Sequence, residues 1–471
     1  MSTPLIGSGS ATHEGAGPGH PRSSRRMLAH VHDPGLPDVD ALAAETLAAQ
    51  ARSDALHPEA FPDLARHEAE VLGFALDLVG APDDAAGTVT GSGSESALLT
   101  VLAAREARPD VRHPAMVLPD TAHPAFLRAA QLLGVEPVVV PTDAHHRAQV
   151  GPMAHAMDER SVLAVVSAPT ATHGVVDPVA WIGTAAAAKR VPLHVDAGDG
   201  GWLLALGERL GRIVPPWTFA VAGVTTISLD LHTDAYAPRG ASVLLFRDAA
   251  TRRLSVFGTA DGPGRPALTP TTGFSRPGGP IAAAARVVSS IGPDGYLHLA
   301  AQTLGAVEAL VAGVPSVPGL ELAHEPDASL VLLRTDGDAD VFTVAAELRS
   351  RGWYAECQPS WQGQPATLRL TVSAGTRAHV DQLLDALRES VAAAEVTGAV
   401  RLPGRVVDHL RRLDPDHLEA HDVRLLLDTL GIDPLDDCSR PLAALVDAAP
   451  TRLRAALVGR LDDLRTDPVR G

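Results

Sequence analysis

Between residues 116 and 246 short aliphatic runs alternate with helical stretches, and this alternation leaves few folds open. Met116-Val117-Leu118, Pro137–Val140, Val162–Val166, Pro192–Ala197, Val224–Ile227 and Ala241–Phe246 read as strands. One helix is expected to lead into Gly134 and another over WIGTAAAAKR. Continuous apolar strands linked through helices specify a mostly parallel sheet covered on both faces. Hydrophobic residues make up 45% of the 471 but aromatics only 3%, so Ala, Val and Leu must fill that core.

The flanks read differently. Residues 1–25 are rich in Gly, Ser, Pro and His, lack an apolar signal-peptide core, and read as a flexible tail. Residues 26–80 form an N-terminal segment of helices with a loop between them, and 81–320 hold the large α/β domain. Residues 321–396 carry three strands and two helices of a smaller domain. Residues 397–471 read as an Arg- and Asp-rich helical tail whose apolar residues recur at helical spacing.

Charge and cysteine usage exclude some functions. A net charge of −17 argues against a broad nucleic-acid or anionic-membrane surface. Cys357 and Cys438 are too few and too far apart for a disulfide framework, so a cytoplasmic location is expected. No apolar run approaches the roughly 18 residues of a membrane span. His145, His146 and His155 fall close together, but no Cys or carboxylate stands at ligand spacing, so no metal site is expected.

Several residues stand where α/β sheets place ligand groups. The Gly/Ser run Gly87–Ser96 opens onto a helix, and free N–H groups at a helix start suit a phosphate or merely a cap. His123 follows one strand end and Asp196 ends another. By position alone His123 is equally a surface residue, and Asp196 equally a cap for the Gly198–Gly201 turn. Ser275 and Arg276 lie on a Gly- and Pro-rich loop, where the arginine is either a phosphate clamp or a surface residue. The chain has a single lysine, Lys189.

These stretches resemble the motifs of pyridoxal-phosphate (PLP) enzymes of the group II decarboxylase and sphingosine-1-phosphate lyase-like family. Thr90–Ser96 is similar to the family's T-S-G-G-T-E-S, His194–Ala197 reproduces H-V-D-A, and Phe274–Gly279 is similar to G-S-R-P-G-G. Ser228–Gly240 is similar to S-x-D-x-H-K-Y-G-Y-A-P-K-G, with Thr233, Asp234 and Ala235 in place of K-Y-G. The likeness runs over about residues 27–395. It implies the aspartate-aminotransferase-like fold type I, usually a homodimer. It further implies that Gly93, Ser94, Ser275 and Arg276 lie near the cofactor phosphate, that His123 stacks on the ring, and that Asp196 bonds its nitrogen. Ser228 and His232 complete the expected cofactor-binding set.

In this family the lysine joins the cofactor as an imine and carries protons, and Thr233 does neither. Losing acid–base help alone costs on the order of 10²–10⁴ in rate. Lys189 stands seven residues before Asp196, at the opposite strand end. A strand rise of about 3.3 Å per residue puts it roughly 20 Å from the cofactor end. Asp234 is expected to add negative charge beside the phosphate. Three readings follow. The chain is a degenerate member holding PLP non-covalently, as a weakly active or non-catalytic homodimer or heterodimer with an active paralogue. Or it is an active carboxy-lyase or carbon–carbon lyase on an amine or amino acid, with His232 as proton carrier. Or it binds a metabolite other than PLP.

Overall fold

The computed structural model describes residues 26–263, 266–433 and 439–466. The expected flexible tail, 1–25, and Cys438 lie outside these residues.

The alternation becomes one seven-stranded sheet. Its strands are β1 (Ala86–Thr90), β2 (Ala115–Pro119), β3 (Glu136–Val140), β4 (Ser161–Ser167), β5 (Leu193–Asp196), β6 (Val224–Asp230) and β7 (Ser242–Phe246), in spatial order β1-β7-β6-β5-β4-β2-β3. Neighbours are parallel from β3 to β6, and β7 runs against both β6 and β1. Every residue of β4 is buried, as a strand covered on both faces requires.

Helices α1 (Pro37–Ala49), α2 (Pro62–Leu78), α3 (Gly93–Glu106), α4 (Pro124–Leu133), α5 (Val150–Ala156), α6 (Val179–Lys189), α7 (Gly201–Arg209) and α8 (Ala249–Arg253) surround this sheet. Trp202 stacks on Phe74 with ring centroids 5.3 Å apart, and both meet Tyr296, so three of the few aromatics form one seam. Small strands β8 (Phe257–Thr259) and β9 (Ala267–Thr269) form a hairpin. Helix α9 (Gly278–Gly313) packs against α1, α2 and α7. It kinks at Gly292 (φ 63°, ψ 174°), just before Pro293. It is long and apolar enough to cross a bilayer, yet it buries Ala283, Ala284 and Val287 within this domain.

The smaller domain has strands β10 (Leu320–Leu322), β11 (Leu330–Thr335), β12 (Glu356–Gln358) and β13 (Thr367–Thr371), antiparallel in the order β10-β11-β13-β12. Helices α10 (Val341–Ser350) and α11 (Val380–Thr397) cover it. The last helices, α12 (Gly404–Arg412), α13 (Ala420–Leu430), α14 (Arg440–Ala448) and α15 (Thr451–Thr466), enclose a core of their own around Leu410, Leu427, Leu445 and Leu457.

Two stretches depart from the sequence reading. Residues 86–90 form an edge strand instead of part of the Gly/Ser loop, because Ala86–Thr90 pairs along the length of β7. Tertiary pairing overrides the weak strand propensity of small residues. Residues 26–36 are an extended strap before α1, not helix. Leu28 N donates to Tyr354 O (2.7 Å), Thr371 N donates to Leu28 O (2.7 Å), and Gly375 N donates to Asp33 O (2.9 Å). The strap thus ties the chain's start to the small domain and crosses the carboxyl edge of the large sheet.

Candidate functional site

The carboxyl ends of β5 and β6, the first turn of α3, the start of α4 and the strap enclose a cavity of about 330 Å³. Carboxyl strand ends are where open α/β sheets bind ligands. Of the residues singled out from sequence, Gly93, Ser94, His123, Asp196, His232 and Thr233 all line this space.

Ser92 caps α3 by accepting from Glu95 N (3.2 Å), which presents Gly93 and Ser94 in the first helical turn. A Cβ on Gly93 would lie 2.9 Å from Asp230 Oδ1, so any larger residue here must push the Asp230 carboxylate aside. Ser242 Oγ holds the Asp230 carboxylate from the β7 side at 2.5 Å. His123 caps α4, and its Nδ1 accepts from Ala125 N (3.2 Å), which fixes the ring at the cavity wall.

Asp196 sits above a buried polar chain. Ser228 Oγ donates to Asp196 Oδ1 (3.2 Å) and lies 3.2 Å from His194 Nε2, whose Nδ1 is 2.9 Å from Thr226 Oγ1. If Ser228 gives its proton to Asp196, His194 donates from Nε2 and accepts at Nδ1. Burial pushes Asp196 up to about 6, with Asp230 and Asp199 adding to the rise while His123 opposes it. Ser228 therefore reaches the site through Asp196 and does not line it.

At the end of β6, Thr233 is 1% exposed. Its hydroxyl lies 2.8 Å from Asp230 O and 3.1 Å from Gly198 O, two acceptors for one proton. Arg239 Nη1 stands 3.1 Å from His232 Nε2 and Nη2 donates to His30 O (2.6 Å). Burial lowers His232 below the ordinary imidazole range, against the pull of Asp230. Asp234 turns away from the cavity lining and is buried beside His32, so the negative charge expected beside the phosphate stands elsewhere.

Ser275 and Arg276 are not in this cavity. They line a second hollow with Glu95 and Thr272. Ser275 Oγ donates to Asp54 Oδ2 (3.0 Å). Arg276 is 7% exposed and its guanidinium is committed: two bonds to Glu68 (2.6 and 3.1 Å) and one to Val89 O (2.9 Å). Within this chain its guanidinium clamps the Glu68 carboxylate, away from the cavity that holds Asp196 and His123. Lys189 is also remote from the cavity lining, and its Nζ donates to Met157 O (2.6 Å).

Sequence reasoning missed His30, His32, Arg239 and Arg369 as cavity residues. Arg369 reaches in from β13, paired with Glu356 (2.8 Å). The histidines arrive on the strap, whose extended backbone had no periodic signal to report.

A sheet of this order, with an acidic strand end and a helix start facing one cavity, defines a fold type I cofactor enzyme scaffold. The pyridoxal-dependent decarboxylase conserved domain matches residues 27–253. The chain is 33% identical over 293 residues to a probable L-aspartate decarboxylase of Halobacterium salinarum, covering 59% of this chain and 78% of that one. It is 30% identical over 344 residues to the sphingosine-1-phosphate lyase of Oryza sativa subsp. japonica, covering 71% and 63%. The solved sphingosine-1-phosphate lyase of Burkholderia pseudomallei superposes with a TM-score of 0.74 at 30% identity, covering 79% and 87%. The chain belongs to the pyridoxal-dependent decarboxylase family, whose cofactor is PLP. It spans 63% of the rice lyase and 53% of the rat enzyme.

The cavity can be held against the needs of that cofactor. A phosphate needs N–H donors and positive potential, and the α3 start with Arg239 offers both. A pyridine ring needs a flat partner and an acceptor for its N–H, and His123 and Asp196 are of the right kind. Gly93 and Gly198 both face the Asp230 carboxylate, and a Cβ on Gly198 would come within 3.3 Å of it. These residues fit the group. A tethering amine has no counterpart among the described residues of the cavity.

Proposed function

We propose that this chain holds PLP non-covalently and has lost most or all lyase turnover, acting as a weakly active or non-catalytic subunit. The observation that carries this reading is the hydroxyl of Thr233 at the end of β6, together with the chain's single lysine bound to Met157 O outside the cavity. In this reading Gly93 and Ser94 receive the phosphate, with His232 and Arg239 beside it. His123 packs on the ring, and Asp196, oriented by Ser228, accepts from its nitrogen. PLP, when bound, supplies an electron sink for charge developing on an attached amine. The ligand class is a small amine or amino acid.

A cytoplasmic location and pairing with a second subunit belong to the same proposal. Phe257, Leu268 and Phe274 are exposed on and beside the β8–β9 hairpin, which supports an apolar contact with another copy or an active paralogue.

The deciding experiment is the absorbance spectrum after adding PLP, followed by borohydride reduction and mass mapping. Retention of PLP on gel filtration with no covalent adduct is the expected result. An adduct at Lys189, or rapid amine turnover by the isolated protein, overturns the reading.

A further inference from the structure

Asp234, next to Thr233, is a carboxylate in an unusual position. Its side chain is 2% exposed, and neither oxygen has a hydrogen-bond partner among the described residues. A buried carboxylate without donors is among the costliest groups a fold can keep, so a facing cation or N–H carries weight. The group that faces it is His32, with Nδ1 3.5 Å from Asp234 Oδ1. That nitrogen is likewise buried and has no hydrogen bond elsewhere. His32 lines the cavity. With Nδ1 turned to Asp234, Nε2 is the ring nitrogen left for the cavity.

We propose that His32, oriented by Asp234 behind it, takes up and returns the protons of an amine ligand in this cavity. The step balances without a redox partner. The Nε2 lone pair accepts a proton from the ligand, and the Asp234 carboxylate stabilises the resulting imidazolium. The proton then returns from Nε2 to the ligand or passes to water. A histidine backed by a buried carboxylate through its other nitrogen is the usual construction of a general base.

His232, the carrier expected from sequence, is less suited. Arg239 stands at its Nε2, and a guanidinium only donates, so that lone pair is already engaged. Among the described residues no carboxylate pairs with His232 at ion-pair distance, although Asp230 and Asp199 act on it from further away. The two rings come to the cavity from different elements, His32 on the strap and His232 from the end of β6.

The inference rests on the proposed function only for the identity of the ligand, and the test separates the two. In the apo protein with 15N-labelled histidine, one side-chain signal vanishes in His32→Gln. That signal is expected to show a proton on Nδ1 shifted downfield, and to lose the shift in Asp234→Leu, or in Asp234→Asn should the leucine variant not fold. With PLP and L-alanine in D2O, washout of the α-hydrogen is expected to fall about 100-fold in His32→Gln, the low end of acid–base losses. It is expected to fall less in His232→Gln. A His32 ring protonated on Nε2 alone, or a washout insensitive to His32, overturns the proposal. Failure to retain PLP overturns the cofactor reading instead, and the apo spectrum still decides the pair.

Discussion

Ser228 Oγ donates to Asp196 Oδ1 over 3.2 Å while standing 3.2 Å from His194 Nε2, so one hydroxyl joins the cavity's carboxylate to a buried imidazole. Removing it in Ser228→Ala leaves His194 Nε2 buried without a partner and frees Asp196 to turn. Leaving a buried polar group unsatisfied costs about 1–3 kcal/mol. Urea unfolding of Ser228→Ala is expected to show a loss of that size, and PLP retention on gel filtration is expected to weaken with it.

The same pair sets opposing pH dependences. Burial pushes His194 down to about 3 from an ordinary 6.5. The unfolded chain therefore takes up a proton below 6.5 that the folded chain refuses. The stability due to neutral His194 is present above 6.5 and is lost as pH falls towards 3. At 1.36 kcal/mol per pKa unit this amounts to at most about 5 kcal/mol. Asp196 runs the other way. Its folded value is near 6 against 3.8, so its contribution is present below 3.8 and is lost as pH rises through 6. Thermal melts between pH 4 and 6.5 are expected to have a shallower acid slope in His194→Gln and a steeper one in Asp196→Asn, each relative to the parent.

Much of this site was legible because its residues sit at the ends of regular elements. Asp196 closes an apolar strand, His123 follows one, and Gly93 and Ser94 open a helix, so periodicity places them at strand and helix ends while the family motifs supply their roles. The missing members come from places where sequence pattern carries no such information. His30 and His32 lie on an extended strap held by backbone bonds to residues 354 and 371, more than 300 positions away. Arg369 enters from another domain. Arg276 shows a related limit: a motif specifies the loop, but Glu68, on α2, decides where the guanidinium points within this chain.

Thr233 tests the central reading directly. Its side chain is enclosed at the end of β6, beside Gly198 and Asp230. The substitution Thr233→Lys restores an amine there, next to two carbonyl oxygens and the Asp230 carboxylate. Borohydride reduction in the presence of PLP is expected to attach one pyridoxyl group to position 233 in this variant and none in the parent chain. No adduct in a folded Thr233→Lys protein that retains PLP would mean that the ring does not lie over this residue.

Arg276 is expected to matter for stability and not for the cofactor of its own chain. Its guanidinium makes a two-pronged pair with Glu68, whose side chain is 17% exposed, and Glu68 Oε1 also accepts from Val89 N (3.2 Å). The pair thus pins α2 and the 270–277 loop to β1. Removing one partner of a buried pair strands the other charge and costs about 3–5 kcal/mol, whereas replacing both with apolar groups is often neutral. Arg276→Met is therefore expected to lower the urea midpoint by an amount corresponding to that range, and Arg276→Met combined with Glu68→Leu to recover most of it. PLP retention by the isolated protomer is expected to be the same in all three chains, since the arginine lines a different hollow from Asp196 and His123. A selective loss of PLP in Arg276→Met at unchanged stability would return this arginine to the phosphate.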